Sequence, residues 1–131
     1  MPIRGTADET TARRTAFRRG RWSEGLALWS LRLKGYRILA RDLRSPLGEI
    51  DIVACRGRTL AIIEVKARDN LLQSAEAVTP RQRERIARAA RLFIGRHPVF
   101  AGHTIRFDVM LVMPGRWPRH IADAWQADGT S

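Results

Sequence analysis

A mixed β-sheet carrying an antiparallel hairpin and flanked by helices, an α/β fold in the order αβββαβ, is the architecture this sequence predicts. Three short strand-like runs, the third rich in β-branched residues, lie between residues 36 and 67 with turn signals between them. Two longer segments, one before these runs and one after, repeat their apolar residues at helical spacing. A chain of 131 residues, 44% of them hydrophobic, can bury one core without disulfide staples. Its single cysteine, Cys55, has no partner in the chain to form one.

Residues 1–20 are polar, carry Arg4, Arg13, Arg14, Arg18 and Arg19, and read as a mobile basic arm. They lack the apolar stretch of a signal peptide. Residues 21–126 read as one domain, and 127–131 as a disordered tail. Arg21 to Lys34 has a helical pattern, with Gly35 suited to the position just past a helix end. This helix is apolar on two sides. Trp22, Leu26, Trp29 and Leu33 form one stripe, while Ala27, Leu28 and Leu31 share another with Glu24. If the Glu24 side faces the sheet, the tryptophan stripe needs cover from the arm or from a second chain, and a homodimer contact is expected there.

Tyr36 to Leu43 predicts a strand, Ser45-Pro46-Leu47-Gly48 a turn, and Glu49 to Cys55 a second strand. Thr59 to Ala67 predicts the third, joined to the second by Arg56-Gly57-Arg58-Thr59, where Gly57 suits the first central position of a type II′ turn. The polar segment from Arg68 to Thr79 reads as a loop. Thr79 as N-cap and Pro80 at the first helical position open a second helix. Gln82, Ile86, Ala89 and Phe93 line one of its faces, and Arg81, Arg85, Arg88 and Arg91 another. Ile105 to Met113 predicts a fourth strand; beyond it the pattern supplies only the amphipathic fragment HIADAW.

The charge balance points to the partner. With 24 Lys+Arg against 13 Asp+Glu, the net charge is +11, which fits a polyanion, nucleic acid ahead of an anionic membrane surface. No apolar run of about 18 residues is present to span a bilayer. Together with the lone cysteine, this predicts a soluble protein of a reducing, cytoplasmic compartment. The arginine stripe of Arg81, Arg85, Arg88 and Arg91 suits sequence-independent phosphate contact.

Chemistry concentrates in the hairpin. Centring its turn on Gly57 and Arg58 sets Asp51 opposite Glu64 and Glu49 opposite Lys66, all on one face of the sheet. Two carboxylates facing one another repel unless a proton or cation lies between them. Mg²⁺ or Mn²⁺ meets that need with oxygen ligands and leaves room for a substrate phosphate. A divalent ion, a positioned water and a nearby cation are what phosphodiester hydrolysis requires, and Lys66 is the cation. The backbone carbonyl of Val65, between Glu64 and Lys66, is a further candidate ligand. His97, His103 and His120 have no metal-ligand spacing with one another or with Cys55, and Asp108 in the fourth strand reads as structural.

The segments GEIDIVA and AIIEVKAR, preceded by KGYRILARDLRSPLG and followed by AVTPRQRERIARAA and RFDVMLV, resemble the YraN family of bacterial proteins. That family is placed by similarity in the restriction-endonuclease-like PD-(D/E)xK nuclease superfamily, near archaeal Holliday-junction resolvases. The resemblance covers about residues 20–125. It implies a restriction-endonuclease-like core and matches Asp51 to the superfamily's metal-binding Asp, Glu64 to its second metal-binding acid and Lys66 to its catalytic lysine. Glu24 matches the first-helix Glu that reaches toward the metal in the resolvase-like branch. Many family members carry Lys near the start of the second helix, where this chain reads Pro80-Arg81-Gln82-Arg83. Gln82 and Glu49 are therefore secondary candidates, Gln82 either pointing toward the site or bonding to backbone. The expected activity is metal-dependent cleavage of DNA rather than RNA, with recombination or repair intermediates as candidate substrates. A nucleic-acid-binding module with the fold but no catalysis is the alternative.

Overall fold

The computed structural model describes residues 22–67 and 78–127, so the arm, most of the loop after the hairpin and residues 128–131 lie outside the described residues. Helix α1 (residues 22–33) leads into β1 (Arg37–Arg44), β2 (Glu49–Arg56) and β3 (Thr59–Ala67). Helix α2 (Pro80–Arg96), a short 3₁₀ turn (Pro98–Phe100), β4 (Thr104–Val112) and β5 (Arg119–Trp125) complete the chain. The five strands form one mixed sheet in the order β1-β2-β3-β4-β5. Only β3 and β4 run parallel. Their connection carries α2 across the sheet, as a parallel pair requires.

The predicted mixed α/β architecture is present, with one correction. The fragment HIADAW belongs to β5, which pairs antiparallel with β4, rather than to an amphipathic terminal segment. Its anchor is a stacked ring pair, Phe107 and Trp125, with centroids 4.2 Å apart. Only the tertiary context supplies that partner.

Each face of the sheet has its own core. Val53, Cys55, Leu60 and Ile62 pack with Ile86, Ala89 and Phe93 of α2, the apolar face expected of that helix. Ile52, Ala54, Ala61 and Ile63 alternate with them and pack on Ala27, Leu28 and Leu31 of α1. The period of two along β2 and β3 thus feeds two layers of packing. The stripe carrying Glu24 is the one that meets the sheet. On the outer face Trp22 is 53%, Trp29 61% and Leu33 70% exposed, while Leu26 is half-buried.

The local signals act as their chemistry dictates. Gly35 adopts a left-handed φ of 91°, and behind it Tyr36 N–H donates to Leu31 C=O and Gly35 N–H to Arg32 C=O, each at 3.0 Å. These paired bonds close α1 as a Schellman motif. Gly57 takes φ 61° in the hairpin turn, and Arg58 does not share the left-handed region. The hairpin register is the predicted one from Arg56↔Thr59 to Ile52↔Ile63. Thr79 caps α2 through its side chain, which accepts from Gln82 N–H at 3.2 Å, while Gln82 Oε1 accepts from Thr79 N–H at 3.0 Å. Strand β1 is an edge strand whose pairing with β2 shifts register between Ile38 and Ala40.

Candidate active site

The β2–β3 ladder ends at Ile52↔Ile63, and there the strands part. Asp51 lies in the opening. Its Oδ2 accepts a hydrogen bond from the Val65 backbone N–H at 2.8 Å, which ties β2 to β3 one residue beyond the last paired rung on β2 and two beyond it on β3. A side chain here replaces the backbone partner, so the carboxylate is held where a rung of the sheet would have been.

Glu64 and Lys66 project from the adjoining part of β3. The Lys66 ammonium pairs with Glu64 Oε1 at 3.8 Å, and both side chains are largely buried. Burial pushes the Glu64 carboxyl up to about 8, reinforced by the charge of Asp51, while Lys66 opposes the shift. Burial also raises Asp51, against the hydrogen bonds it accepts from Val65 and from Glu64. The electrostatics of the pair favour a proton on Glu64, beside the Asp51 carboxylate.

Glu24 approaches from the other side of the sheet. Burial raises its carboxyl, and so do a hydrogen bond with Asp42 and the charges of Asp42 and Asp51. Asp42 is the functional candidate that sequence reasoning missed. In the β1–β2 ladder it stands between the pairs Arg41↔Ile52 and Leu43↔Ile50, across from Asp51, at a left-handed φ of 51°. Aspartate tolerates that conformation better than most residues. The acids therefore come as two neighbouring pairs, Asp51 with Glu64 and Glu24 with Asp42. Among the described residues, no group of three or more His, Cys, Asp or Glu side chains stands ready as a metal cage. A Mg²⁺ ion needs fewer, since one or two carboxylates with waters and a substrate phosphate complete its shell. The neighbouring carboxyls of Asp51 and Glu64, both raised by burial, fit that requirement.

The ladder extends to neither the Asp51–Glu64 nor the Glu49–Lys66 pairing expected from an unbroken hairpin, because the strands part after Ile52↔Ile63. Glu49 instead adds a repulsive charge near Glu64 and lines a cleft with Glu64, Gln82, Arg85 and Ile86. Gln82 is exposed and its amide oxygen serves the α2 cap, the backbone-bonded alternative, while its side chain still borders the cleft. Gly48 sets the spacing between β2 and α2: a Cβ there would lie 2.4 Å from the Arg85 carbonyl oxygen. The turn before it is fastened by Ser45 Oγ, which accepts from the N–H groups of Leu47 and Gly48 at 3.2 Å each.

Arg81, Arg85, Arg88 and Arg91 are all exposed on α2, as expected of a solvent-facing basic stripe. They are not equivalent. Arg88 pairs with Glu84, and Arg91 borders an apolar pocket with Ile105, Phe107 and Trp125 on the β5 side.

Asp108 is fully buried and structural, as expected. Arg106 Nε donates to its Oδ1 at 2.9 Å and Arg106 Nη2 to its Oδ2 at 2.8 Å. The Asp123 backbone N–H donates to Oδ1 at 2.9 Å, and His120 Nε2 lies 2.8 Å from Oδ2. Arg106 also donates to the Tyr36 hydroxyl. Burial alone would raise the Asp108 carboxyl, but the bonds from His120, Arg106 and Asp123 outweigh it and hold it below the ordinary carboxylate range. Of the remaining chemistry-bearing residues, Cys55 is buried in the α2-side core and His97 Nδ1 bonds to Phe93 C=O at 2.9 Å.

Comparison with known proteins places this geometry in a family. The model described as "Uncharacterised protein family UPF0102" matches residues 23–112, more than half of the chain and all of α1 through β4 except the first residue of α1. The chain belongs to the UPF0102, or YraN, family. A UPF0102 protein of Parvibaculum lavamentivorans is 56% identical over 111 residues, 85% of this chain and 84% of its own length. One of Methylorubrum extorquens is 49% identical over 127 residues, covering 97% of this chain and 99% of its own. A third, of Paramagnetospirillum magneticum, is 50% identical and covers 94% and 98% respectively. The family match spans Glu24, Asp42, Asp51, Glu64, Lys66 and Arg85, so the acidic opening and the α2 wall both lie inside the UPF0102 region.

Proposed function

We propose that this UPF0102 protein is a divalent-metal-dependent nuclease with a restriction-endonuclease-like core, hydrolysing phosphodiester bonds in DNA, with recombination or repair intermediates as candidate substrates. The observation that carries the reading is the Asp51 carboxylate fixed on Val65 N–H beside Glu64 and Lys66, where β2 and β3 part. A net charge of +11 around so small an acidic site supports a polyanionic substrate.

Asp51 and Glu64 would hold Mg²⁺ or Mn²⁺, with the Val65 carbonyl and Glu24 as further ligands. The ion supplies Lewis acidity to a phosphoryl oxygen and acidifies the attacking water. The chain's own groups do the rest. Val65 N–H keeps the Asp51 carboxylate oriented and opposes the effect of burial on it. Glu64, as a carboxylate, would offer its oxygens to the ion beside Asp51. Lys66 places its ammonium where it can orient the water and offset charge developing on the phosphate. As the water oxygen bonds to phosphorus its proton passes to solvent, one ester P–O bond breaks, and the leaving oxygen takes up a proton from solvent.

The test is cleavage of a panel of DNA substrates with Mg²⁺ or Mn²⁺ by the wild type, Asp51→Ala and Lys66→Ala purified in parallel. Cleavage lost in both variants is expected; variants equal to the wild type would reject the reading. A second reading, a nucleic-acid-binding module without catalysis, is favoured by the paired rather than caged arrangement of the acids. Calorimetry finding no divalent-ion binding at millimolar concentration, with DNA binding intact, would select it.

A further inference from the structure

We infer that Arg85 is a phosphate-positioning residue of this site, distinct in role from the rest of the arginine stripe, and that the cleft between α2 and the β2–β3 opening receives one phosphodiester of the substrate. The inference rests on the nuclease reading and extends it by naming where the reacting phosphate sits.

Several observations converge. Arg85 lines one cleft with Glu49 and Glu64, which Arg81, Arg88 and Arg91 do not. Its side chain has no hydrogen bond or ion pair among the described residues, whereas Arg88 is occupied by Glu84 and Arg83 by Val78 C=O and the face of Trp125. An arginine that shares a cleft with the largely buried Glu64 and the exposed Glu49, yet pairs with neither, is suited to an anion that also brings a cation. A phosphodiester bound through a divalent ion supplies both, one oxygen toward the acids and another toward the guanidinium fork. The helix is also held in place for this. The Arg85 carbonyl packs on Gly48, one residue before Glu49, so α2 cannot move relative to β2 without opening that contact.

Arg85→Gln, Arg85→Lys and Arg88→Gln separate the roles, each checked for an unchanged thermal midpoint. With an active wild type, Arg85→Gln is expected to lower kcat on the order of 100-fold, the loss typical of removing one preorganised donor to a transition-state oxyanion. Arg85→Lys should recover part of kcat, since charge returns without the fork. Arg88→Gln should raise KM and lessen the salt dependence of binding, with a much smaller loss of kcat than Arg85→Gln. An Arg85→Gln variant that changes KM alone, to the extent of Arg88→Gln, overturns the proposal.

A second readout needs no turnover. Affinity for a short DNA oligonucleotide is measured with Ca²⁺ for the wild type, Asp51→Asn, Arg85→Gln and the double variant. Losses that fail to add, by about threefold or more, show the two residues acting on one phosphate; additive losses overturn it. If the wild type neither cleaves nor responds to Ca²⁺, the nuclease reading falls. The phosphate subsite then stands only if Arg85→Gln weakens binding well beyond Arg88→Gln, and falls if the two are equal.

Discussion

Asp51 binds the backbone of Val65, and through that one 2.8 Å bond a strand pair that has already separated is kept in register. The same carboxylate therefore has a structural and a chemical task. Asp51→Asn keeps an acceptor for Val65 N–H, so its thermal midpoint should stay within a few degrees of the wild type while cleavage is lost. Asp51→Ala should lose both. Calorimetry and a cleavage assay on the same preparations distinguish the two tasks.

Lys66→Arg should fail to support cleavage although the charge is conserved. A planar guanidinium is larger than an ammonium and presents a rigid fork, and the space beside Glu64 is largely buried. Cleavage by Lys66→Arg at the wild-type rate would contradict a role that depends on a compact charge.

The pH dependence of stability follows from Glu64. Its carboxyl titrates near 8 in the fold and near 4.5 when exposed, so the folded state holds a proton the unfolded chain has released between those values. Stability in the absence of divalent ions should fall as pH rises from about 5 to about 8. Glu64→Gln should flatten that slope, and Mg²⁺ should raise the thermal midpoint more at pH 8.5 than at pH 6, read by differential scanning calorimetry.

Gly48→Ala should destabilise by about 1–3 kcal/mol, the usual cost of forcing a methyl group into filled space. The obstacle is the Arg85 carbonyl 2.4 Å from the new Cβ, and backbone cannot swing aside as a flexible side chain would. Urea denaturation measures it; an unchanged midpoint would mean that α2 shifts freely.

Asp108→Asn should cost about 3–5 kcal/mol, because it strands the Arg106 guanidinium beside a buried neutral group. Asp108 is held below its ordinary range, so its contribution is complete above that range and disappears as pH falls through its folded value. The variant should show a shallower acid limb in its stability profile than the wild type.

Much of this molecule was readable before any coordinates. Period-two alternation and a glycine-centred turn set the β2–β3 register, and with it the neighbourhood of Asp51, Glu64 and Lys66. Gly35 and the Thr79–Gln82 box are local rules obeyed locally. What escaped depended on non-local geometry. Asp42 reaches the site because a left-handed residue on β1 stands across from Asp51, in a strand whose register has already shifted. HIADAW is a strand because β4 offers it an edge and Phe107 a ring to stack on. The Glu49–Lys66 pairing failed for the opposite reason: extrapolating a ladder ignores the point at which it opens.

That shifted register on β1 has a consequence for how the protein behaves in a crowded solution. A straight outer strand would offer its free amides and carbonyls to another molecule, the first step of templated aggregation. Here the edge is interrupted between Ile38 and Ala40, and exposed Arg37, Arg41 and Arg44 stud it with like charge. Two such edges meeting would set arginine against arginine, which opposes the pairing of one copy's edge with another's.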